Sequence, residues 1–218
     1  NDSGGARIQE GVVALGLCAL APVFWFLLGA YCLLQIGMNV SQGGYQGLLP
    51  DRKLREVTSR TTSRLDPGNW TWTTLPKPIA KHYSGEGAVL LPGSPAGSTT
   101  IALIGGGTST GSVASVESFN ATTNTWTHLP SLPQPRAHMS PVLLPDGTIL
   151  GVGGTSVANF GTPQYAALSY TPGASSWTTL ASQVERRGYH SSAVLLPDGR
   201  ILSAGDTGTG GEDSPVGQ

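Results

Sequence analysis

Two adjacent side chains near the end of the 218-residue chain, Tyr189 and His190, are the first candidates for chemistry. A phenol oxygen beside an imidazole nitrogen offers two donors that suit a transition metal. The surrounding stretch, "RRGYHSSAVLLPDGRILSAGD", continues with an apolar run, a Pro-Asp-Gly turn and a second apolar run. His138 occupies the matching place in "RAHMSPVLLPDG", seven residues before the turn proline. A histidine that recurs in one register favours a structural role, so a metal site and a structural site are both open interpretations.

A repeat of about fifty residues must position these side chains, and it is the strongest pattern in the sequence. Trp72, Trp126 and Trp177 are separated by 54 and 51 residues, and the runs "AVLLPGS", "PVLLPDG" and "AVLLPDG" recur at a similar spacing. Asp-Gly pairs suit tight hairpins between the apolar runs. With the tryptophan strands, these hairpins predict that each unit forms four short antiparallel strands, as a propeller blade does. Arg136 and Arg187 also recur, and we expect their guanidinium groups to bond carbonyls of the adjacent blade.

These motifs resemble the kelch repeat, and more narrowly the galactose oxidase and glyoxal oxidase group of kelch propellers, over residues 70–206. The expected fold is mainly β. It is a partial kelch-type β-propeller with about two complete four-stranded blades plus part-blades, within residues 69–218. The complete blades are predicted at 87–129 and 139–180, and the part-blades at 70–75 and 190–204. The tryptophans are expected to pack between blades.

The resemblance to the oxidases implies a copper site in which Tyr189 is an axial ligand and His190 an equatorial one. Those enzymes also use a tyrosine cross-linked to a cysteine, and a further histidine from a domain that follows the propeller. In this sequence the two cysteines, Cys18 and Cys32, both lie in an apolar N-terminal run, and Ser140 stands near the expected cysteine position. We therefore predict no catalytic residue in this chain, with copper at Tyr189 and His190 as the alternative.

The apolar N-terminal run covers residues 11–37 without a formal charge. A bilayer core needs roughly 20 apolar residues, so this run predicts one transmembrane helix, preceded by a short segment, 1–10. Residues 38–68 are rich in Gly, Ser and charged residues and predict a linker, with a short helix possible at 51–57.

The sequence gives two opposed signals about orientation in the membrane. Positive charges follow the apolar run, at Arg52, Lys53 and Arg55, which favours a cytoplasmic C-terminal part. Four Asn-x-Ser/Thr sequons favour the opposite side, because they matter only outside the cytoplasm; they begin at Asn1, Asn39, Asn69 and Asn120. We predict a single-pass membrane protein with an extracytoplasmic propeller, periplasmic or extracellular.

The composition of the chain argues against one class of function, nucleic-acid binding. The formal net charge is −1 and charged residues make up 11% of the chain, so no basic surface for nucleic acid is expected. An incomplete propeller exposes apolar ends. The predicted function is a non-catalytic, membrane-anchored subunit whose helix contacts the lipid bilayer and whose helix and open propeller ends bind other membrane protein subunits. The alternatives are a copper radical oxidase of which this chain is a fragment, and a carbohydrate-binding propeller that stacks sugars on Trp70 or Tyr165.

Overall fold

Every regular element that the computed structural model describes is a β-strand, and the strands are numbered β1 to β16. The description covers residues 45–48, 53–93, 99–158 and 161–206. Within these ranges no helix has the length and apolar character that a membrane crossing requires. The transmembrane helix predicted at 11–37 lies outside the described residues.

The first four strands form an antiparallel sheet in chain order, here called blade A. They are β1 (Tyr45–Leu48), β2 (Leu54–Val57), β3 (Thr62–Asp66) and β4 (Thr71–Leu75). Blade A is therefore a complete blade, and its outermost strand is the tryptophan strand for which the sequence predicted only a part-blade.

The linker predicted at 38–68 and the short helix possible at 51–57 were wrong for the described residues of those ranges, which lie largely in three strands of blade A. The sequence pattern that indicated these strands was an alternation of buried and less buried positions, and the charged residues made it hard to recognise. Arg55 and Val57 are buried on one face of β2, and their neighbours are only partly buried. A period of two places successive side chains on opposite faces of a sheet, so this segment behaves as a half-covered strand.

The next two sheets confirm the two complete blades predicted from the repeat. Blade B pairs its strands in the order β10-β9-β6-β5, with a small hairpin, β7–β8, between β6 and β9. Its strands are β5 (Gly87–Leu90), β6 (Thr100–Ile104), β7 (Gly107–Thr108), β8 (Gly111–Ser112), β9 (Val116–Asn120) and β10 (Thr125–Leu129). Blade C is β11 (Ser140–Leu143), β12 (Ile149–Val152), β13 (Ala166–Tyr170) and β14 (Thr178–Ser182).

A two-stranded sheet follows, here called half-blade D. It consists of β15 (Ser192–Leu195) and β16 (Ile201–Ala204). The first strands of successive blades lie side by side, because β11 contacts both β5 and β15. This arrangement is that of consecutive blades with their first strands toward the propeller axis.

Each complete blade carries one row of large side chains across its four strands, here called its ridge. In blade B the ridge follows the strand register, and it is Leu90, Ile101, Phe119 and Trp126. This ridge packs in one buried cluster with Val57 and Leu75 of blade A. The ridge of blade C is Leu143, Ile149, Tyr170 and Trp177, and it packs in a second cluster with residues of blade B. The ridges of blades B and C are therefore each covered by the preceding blade.

A tryptophan hydrogen bond joins each of these blades to the one before it. Trp126 Nε1 donates to the carbonyl oxygen of Pro76 at 2.8 Å, and Trp177 Nε1 donates to that of Pro130 at the same distance. Both prolines directly follow the outermost strand of the preceding blade. Within its own blade, the Trp177 ring stacks on Tyr170 with centroids 5.1 Å apart. The prediction that the tryptophans pack between blades is confirmed for Trp126 and Trp177; Trp72 is instead 54% exposed.

We expect Trp177→Phe to lower the free energy of unfolding by about 1–2 kcal/mol, because it keeps a ring beside Tyr170 but removes the indole donor from the carbonyl of Pro130. Urea denaturation followed by circular dichroism measures the change. The control is Trp72→Phe, whose side chain is 54% exposed and should change stability little. Equal losses in the two variants would contradict the role assigned to the indole bond.

Candidate functional site

The candidate site lies where the chain enters the first strand of each blade. Gly85, His138 and His190 each stand seven residues before the proline that ends the apolar run. All three have a positive φ, +70° for the glycine and 56° and 62° for the histidines. Positive φ is uncommon for a residue other than glycine, and histidine is among those that tolerate it. The recurring histidine therefore marks a left-handed link before the first strand.

Three aromatic rings form a row from blade C to half-blade D at these links. His138 meets Tyr189 edge to face, with ring centroids 4.9 Å apart and planes at 74°. Tyr189 in turn stacks on His190, with centroids 3.8 Å apart and planes at 26°. On the other side, the His138 ring lies over Gly85 of blade B, where an added Cβ would come 2.5 Å from Cε1. The structure thus brings both predicted site residues together with His138.

Tyr189 owes its position to one additional residue in the last repeat. One residue lies between Arg136 and His138, whereas two lie between Arg187 and His190. The additional length forms a tight turn, in which Ser191 N donates to Gly188 O at 3.1 Å and Ser191 Oγ donates to the same oxygen at 2.7 Å. This turn presents the phenol ring between the two imidazoles.

A buried carboxylate lies beneath this turn. Asp206 takes the repeat position that Gly106 and Gly154 occupy in blades B and C, and like them it has a positive φ, 132° against 106° and 102°. It is 1% exposed, and its Oδ2 accepts a hydrogen bond from Arg186 Nε at 2.6 Å. A Cβ on Gly188 would come 3.3 Å from Asp206 Oδ1. The ion pair ties the end of β16 to the segment that leads into the turn.

The ring geometry tests whether Tyr189 and His190 fit the copper site that the oxidase resemblance implies. Two ligands of one tetragonal ion point their donor atoms at a common centre. The rings instead contact each other face to face in nearly parallel planes, which is packing geometry. In the part of the chain that the structure describes, no three His, Cys, Asp or Glu side chains converge on a possible ion position. This arrangement does not fit copper, and the metal role of Tyr189 and His190 stays a prediction.

His138 has a strongly shifted acidity. The pKa of its imidazole is lowered from 6.5 to about 4, first by burial and then by the neighbouring His190, while the Asp206 carboxylate partly opposes the shift. Removing an imidazolium from water disfavours its charged form, whereas a nearby carboxylate favours it. His138 is therefore a neutral packing ring at neutral pH.

We expect the protein to lose stability as the pH falls from about 6.5 to about 4. Because the folded pKa of His138 is about 4, below its ordinary value of 6.5, the unfolded chain takes up the proton first. The stabilisation is complete above pH 6.5 and is lost through that window; the loss is on the order of 2 kcal/mol after allowance for a partly exposed ring. Urea midpoints across this range measure it. His138→Asn keeps a residue that tolerates positive φ, and it should flatten the dependence; an unchanged slope would contradict the assignment.

A second polar cluster was missed by the sequence analysis. Glu117 is fully buried in blade B, and its carboxylate accepts hydrogen bonds from Ile79 N at 3.0 Å and Ala80 N at 2.9 Å. Its oxygens also lie 3.3 Å from His82 Nε2 and 3.1 Å from His128 Nδ1. This carboxylate joins blade B to the segment that arrives from blade A. The sequence pattern that could have identified this glutamate is its place in β9, two positions before the ridge residue and therefore on the same buried face.

The recurring arginines bond differently from the expectation. Arg136 NH1 donates to the carbonyls of Gly153 and Ala166, and Arg187 Nε donates to Ser203 Oγ at 3.1 Å, all within the blade that each arginine enters. These guanidinium bonds lie in the blade that each arginine enters, whereas the sequence predicted bonds to the adjacent blade. Their main-chain carbonyls make that connection: Gly106 N donates to Arg136 O at 2.8 Å, and Gly154 N donates to Arg187 O at 2.7 Å.

The two residues predicted as sugar platforms lie beside strands of different blades. Trp70 is 76% exposed in the turn before β4, and Tyr165 is 41% exposed just before β13. Neither belongs to the row of rings, and the carbohydrate interpretation stays a prediction.

The match to a known repeat motif agrees with the blade architecture. The kelch motif model matches residues 98–133. No curated protein sequence matches the chain. Among solved structures the chain is similar to a "Novel fungal alcohol oxidase with catalytic diversity among the AA5 family, in complex with copper", with 20% sequence identity and a TM-score of 0.48. The match covers 77% of this chain and 48% of that one, so this chain spans about half the length of the oxidase.

The motif and the repeated four-stranded sheets together define a kelch-type β-propeller fold. The copper in the similar structure belongs to that enzyme.

Proposed function

We propose that this chain is a non-catalytic kelch-type propeller that works by binding protein, as a membrane-anchored subunit of a larger membrane complex. The observation that carries the proposal is the uncovered ridge of blade A. The strand register places Leu54 opposite Leu65 and Leu65 opposite Trp72, on the face opposite Val57 and Leu75. These positions match the ridges of blades B and C.

The exposure of the tryptophans shows how incompletely this ridge is covered. Trp177, on a ridge that the preceding blade covers, is 6% exposed, whereas Trp72 is 54% exposed. Leu54 and Leu65 are only partly buried. An exposed apolar row at a position that is buried in the sister blades is typical of a binding surface.

The opposite end of the described run of blades has a second uncovered apolar surface. In half-blade D, Val194 pairs with Leu202 on the face turned away from blade C, and these side chains are 53% and 40% exposed. We call them the trailing pair. Their counterparts in blade B, Val89 and Ala102, are 8% and 0% exposed because blade C packs on them. The two surfaces support a binding role.

The row of rings supports a non-catalytic role. The faces of Tyr189 and His190 contact each other, and His138 is neutral and packed against Tyr189. The membrane part of the proposal rests on the apolar run at 11–37, which is long enough to anchor the chain and to contact the helices of other subunits.

The test is native mass spectrometry of the chain extracted from its own membrane in mild detergent. We expect an assembly that contains other subunits and no copper, and that shrinks when the trailing pair is disrupted by Val194→Lys. The matched control is Val184→Lys, since Val184 is 83% exposed and lies off both surfaces. A lone monomer would refute the binding role, and a heavier single chain with one copper would favour the oxidase.

A further inference from the structure

We propose that Asn69 carries an N-linked glycan, and that Asn120, which begins the other sequon within the described residues, stays largely unmodified. The sequons at Asn1 and Asn39 lie outside the described residues. The inference goes beyond the proposed function, because it assigns a covalent modification and does not depend on what binds the propeller. It requires that the propeller lies outside the cytoplasm, as the sequence predicts, since only there are such sequons modified.

The two sequons occupy different places in equivalent hairpins. The hairpins β3–β4 and β9–β10 join the last two strands of blades A and B, and their closing pairs are Asp66 with Thr71 and Asn120 with Thr125. Each pair closes a turn of four residues. Asn69 is the third residue of its turn, whereas Asn120 is the last residue of a strand. One sequon therefore begins in a turn and the other inside a sheet.

The Asn69 sequon is open to an enzyme. Asn69, Trp70 and Thr71 are all exposed. Asn69 Oδ1 accepts hydrogen bonds from Thr71 N at 3.1 Å and from Thr71 Oγ1 at 2.6 Å. Both bonds lie within the sequon and engage the amide oxygen, whereas the amide nitrogen Nδ2 is the atom that takes a glycan. The fold therefore presents the acceptor nitrogen without any change in the sheet.

The Asn120 sequon is held by blade B. Its strand, β9, pairs with both β6 and β10. Ala121 is 7% exposed and its N donates to Thr99 O at 2.8 Å, while Thr122 Oγ1 donates to Thr99 Oγ1 at 3.0 Å. Hairpins form within about 1–10 μs, far faster than a ribosome adds residues, so this pairing competes with glycosylation even during synthesis. An enzyme must open a central strand to use Asn120, which costs more than distorting a turn.

The modification is a glycosyl transfer and needs no oxidant or reductant. Asn69 Nδ2 attacks the anomeric carbon of an oligosaccharide that is linked to a lipid pyrophosphate. A carbon–nitrogen bond forms, and the bond from the anomeric carbon to the pyrophosphate oxygen breaks. The leaving lipid pyrophosphate keeps the electron pair of that bond, and Nδ2 releases one proton. The cell supplies the lipid-linked oligosaccharide and the transferase, and this chain supplies the acceptor.

The experiment is peptide mapping of the full-length chain from its own membrane after treatment with N-glycosidase, which converts a glycosylated asparagine to aspartate. We expect conversion of Asn69 in most copies, and conversion at Asn120 that is at least about tenfold lower because β9 must open first. Asn69→Gln and Thr71→Val should each remove the mass of one glycan from the intact protein. Asn120→Gln is the matched control and should remove none. Circular dichroism melting confirms that the variants are folded.

Blade B allows the same turn position to be tested in a second hairpin. Thr123 is the third residue of its turn, as Asn69 is, and the residue that follows has a φ of 56° in both turns, at Trp70 and Asn124. Thr123 Oγ1 also lies 2.7 Å from Thr125 Oγ1. Thr123→Asn creates a sequon that ends at Thr125. We expect this variant to gain a second glycan, and a variant that gains none would contradict the role of the turn.

The outcomes separate this inference from the proposed function. An unmodified Asn69, or equal occupancy of Asn69 and Asn120, would overturn the inference, whatever the size of the assembly. A lone monomer with a glycan on Asn69 would refute the binding role and leave the modification site standing. An assembly with other subunits whose Asn69 is unmodified would refute the modification site alone.

Discussion

Gly106→Ala is expected to prevent blades B and C from folding together, with a loss of more than about 4 kcal/mol of stability. Gly106 has a φ of 106°, which an L-residue adopts only at a cost. An added Cβ would also come closer to the carbonyl oxygen of His82 than any non-bonded contact allows. That oxygen belongs to the main chain, so no side-chain rotation relieves the clash. Meanwhile Gly106 N is held at 2.8 Å from Arg136 O, the link to blade C.

The chain offers two matched controls for this prediction. Gly111→Ala has no atom within 4 Å of the new Cβ and no positive φ, so it should be nearly neutral. Gly173→Ala also has open space around the Cβ but a φ of 92°, so it isolates the backbone cost of about 1–2 kcal/mol. Soluble yield and urea denaturation measure all three. A Gly106→Ala protein as stable as Gly173→Ala would show that the carbonyl of His82 is not fixed there.

Glu117→Ala is expected to cost about 3–5 kcal/mol, the second largest effect. The substitution leaves the main-chain amides of Ile79 and Ala80 without the carboxylate that accepts their hydrogen bonds, and it removes the acceptor beside the fully buried His82 ring. A buried polar group left without its partner costs about 1–3 kcal/mol, and two main-chain hydrogen bonds are lost with it. The segment that joins blade A to blade B should therefore detach. Urea denaturation gives the loss, and hydrogen exchange at residues 78–84 locates it.

His128→Ala is the control for the carboxylate cluster. His128 lies 3.1 Å from the same carboxylate, but its side chain is 62% exposed, so its ion pair should contribute little. We expect a change below about 1 kcal/mol and unchanged exchange at 78–84. If the two variants were equally destabilised, the carboxylate would act through its exposed partner, and the role assigned to the amides of Ile79 and Ala80 would be wrong.

The sequence predicted the blades where apolar runs, turns and tryptophans recurred together. It failed for blade A because that blade keeps only the tryptophan strand of the recurring pattern, and Arg55 and Arg64 interrupt its apolar alternation. Strand pairing there brings together side chains such as Leu54 and Leu65 on neighbouring strands. The packing of such cross-strand partners overrides local composition.

The candidate site was predictable in part for a similar reason. The register of His138 and His190 was visible in the sequence, but their shared left-handed backbone was not. Tyr189 takes its position because the last repeat has one additional residue, which forms a tight turn. The repeat pattern of the sequence does not predict such a turn. Glu117 and Asp206 could be located only once the neighbouring segments were placed around them, because the groups that donate hydrogen bonds to them, Ile79 N and Arg186 Nε, lie 20 or more residues away in sequence.

The central claim is that other protein covers the ridge of blade A and the trailing pair in the membrane assembly. Hydroxyl-radical footprinting tests it most directly, by comparing the intact membrane assembly with the dissociated chain, residue by residue. We predict that oxidation of Trp72, Val194 and Leu202 falls severalfold in the assembly, while Val184 and Tyr165, which are exposed elsewhere, stay equally reactive. Equal oxidation of all five residues in both states would contradict the account, because the uncovered surfaces would then bind nothing.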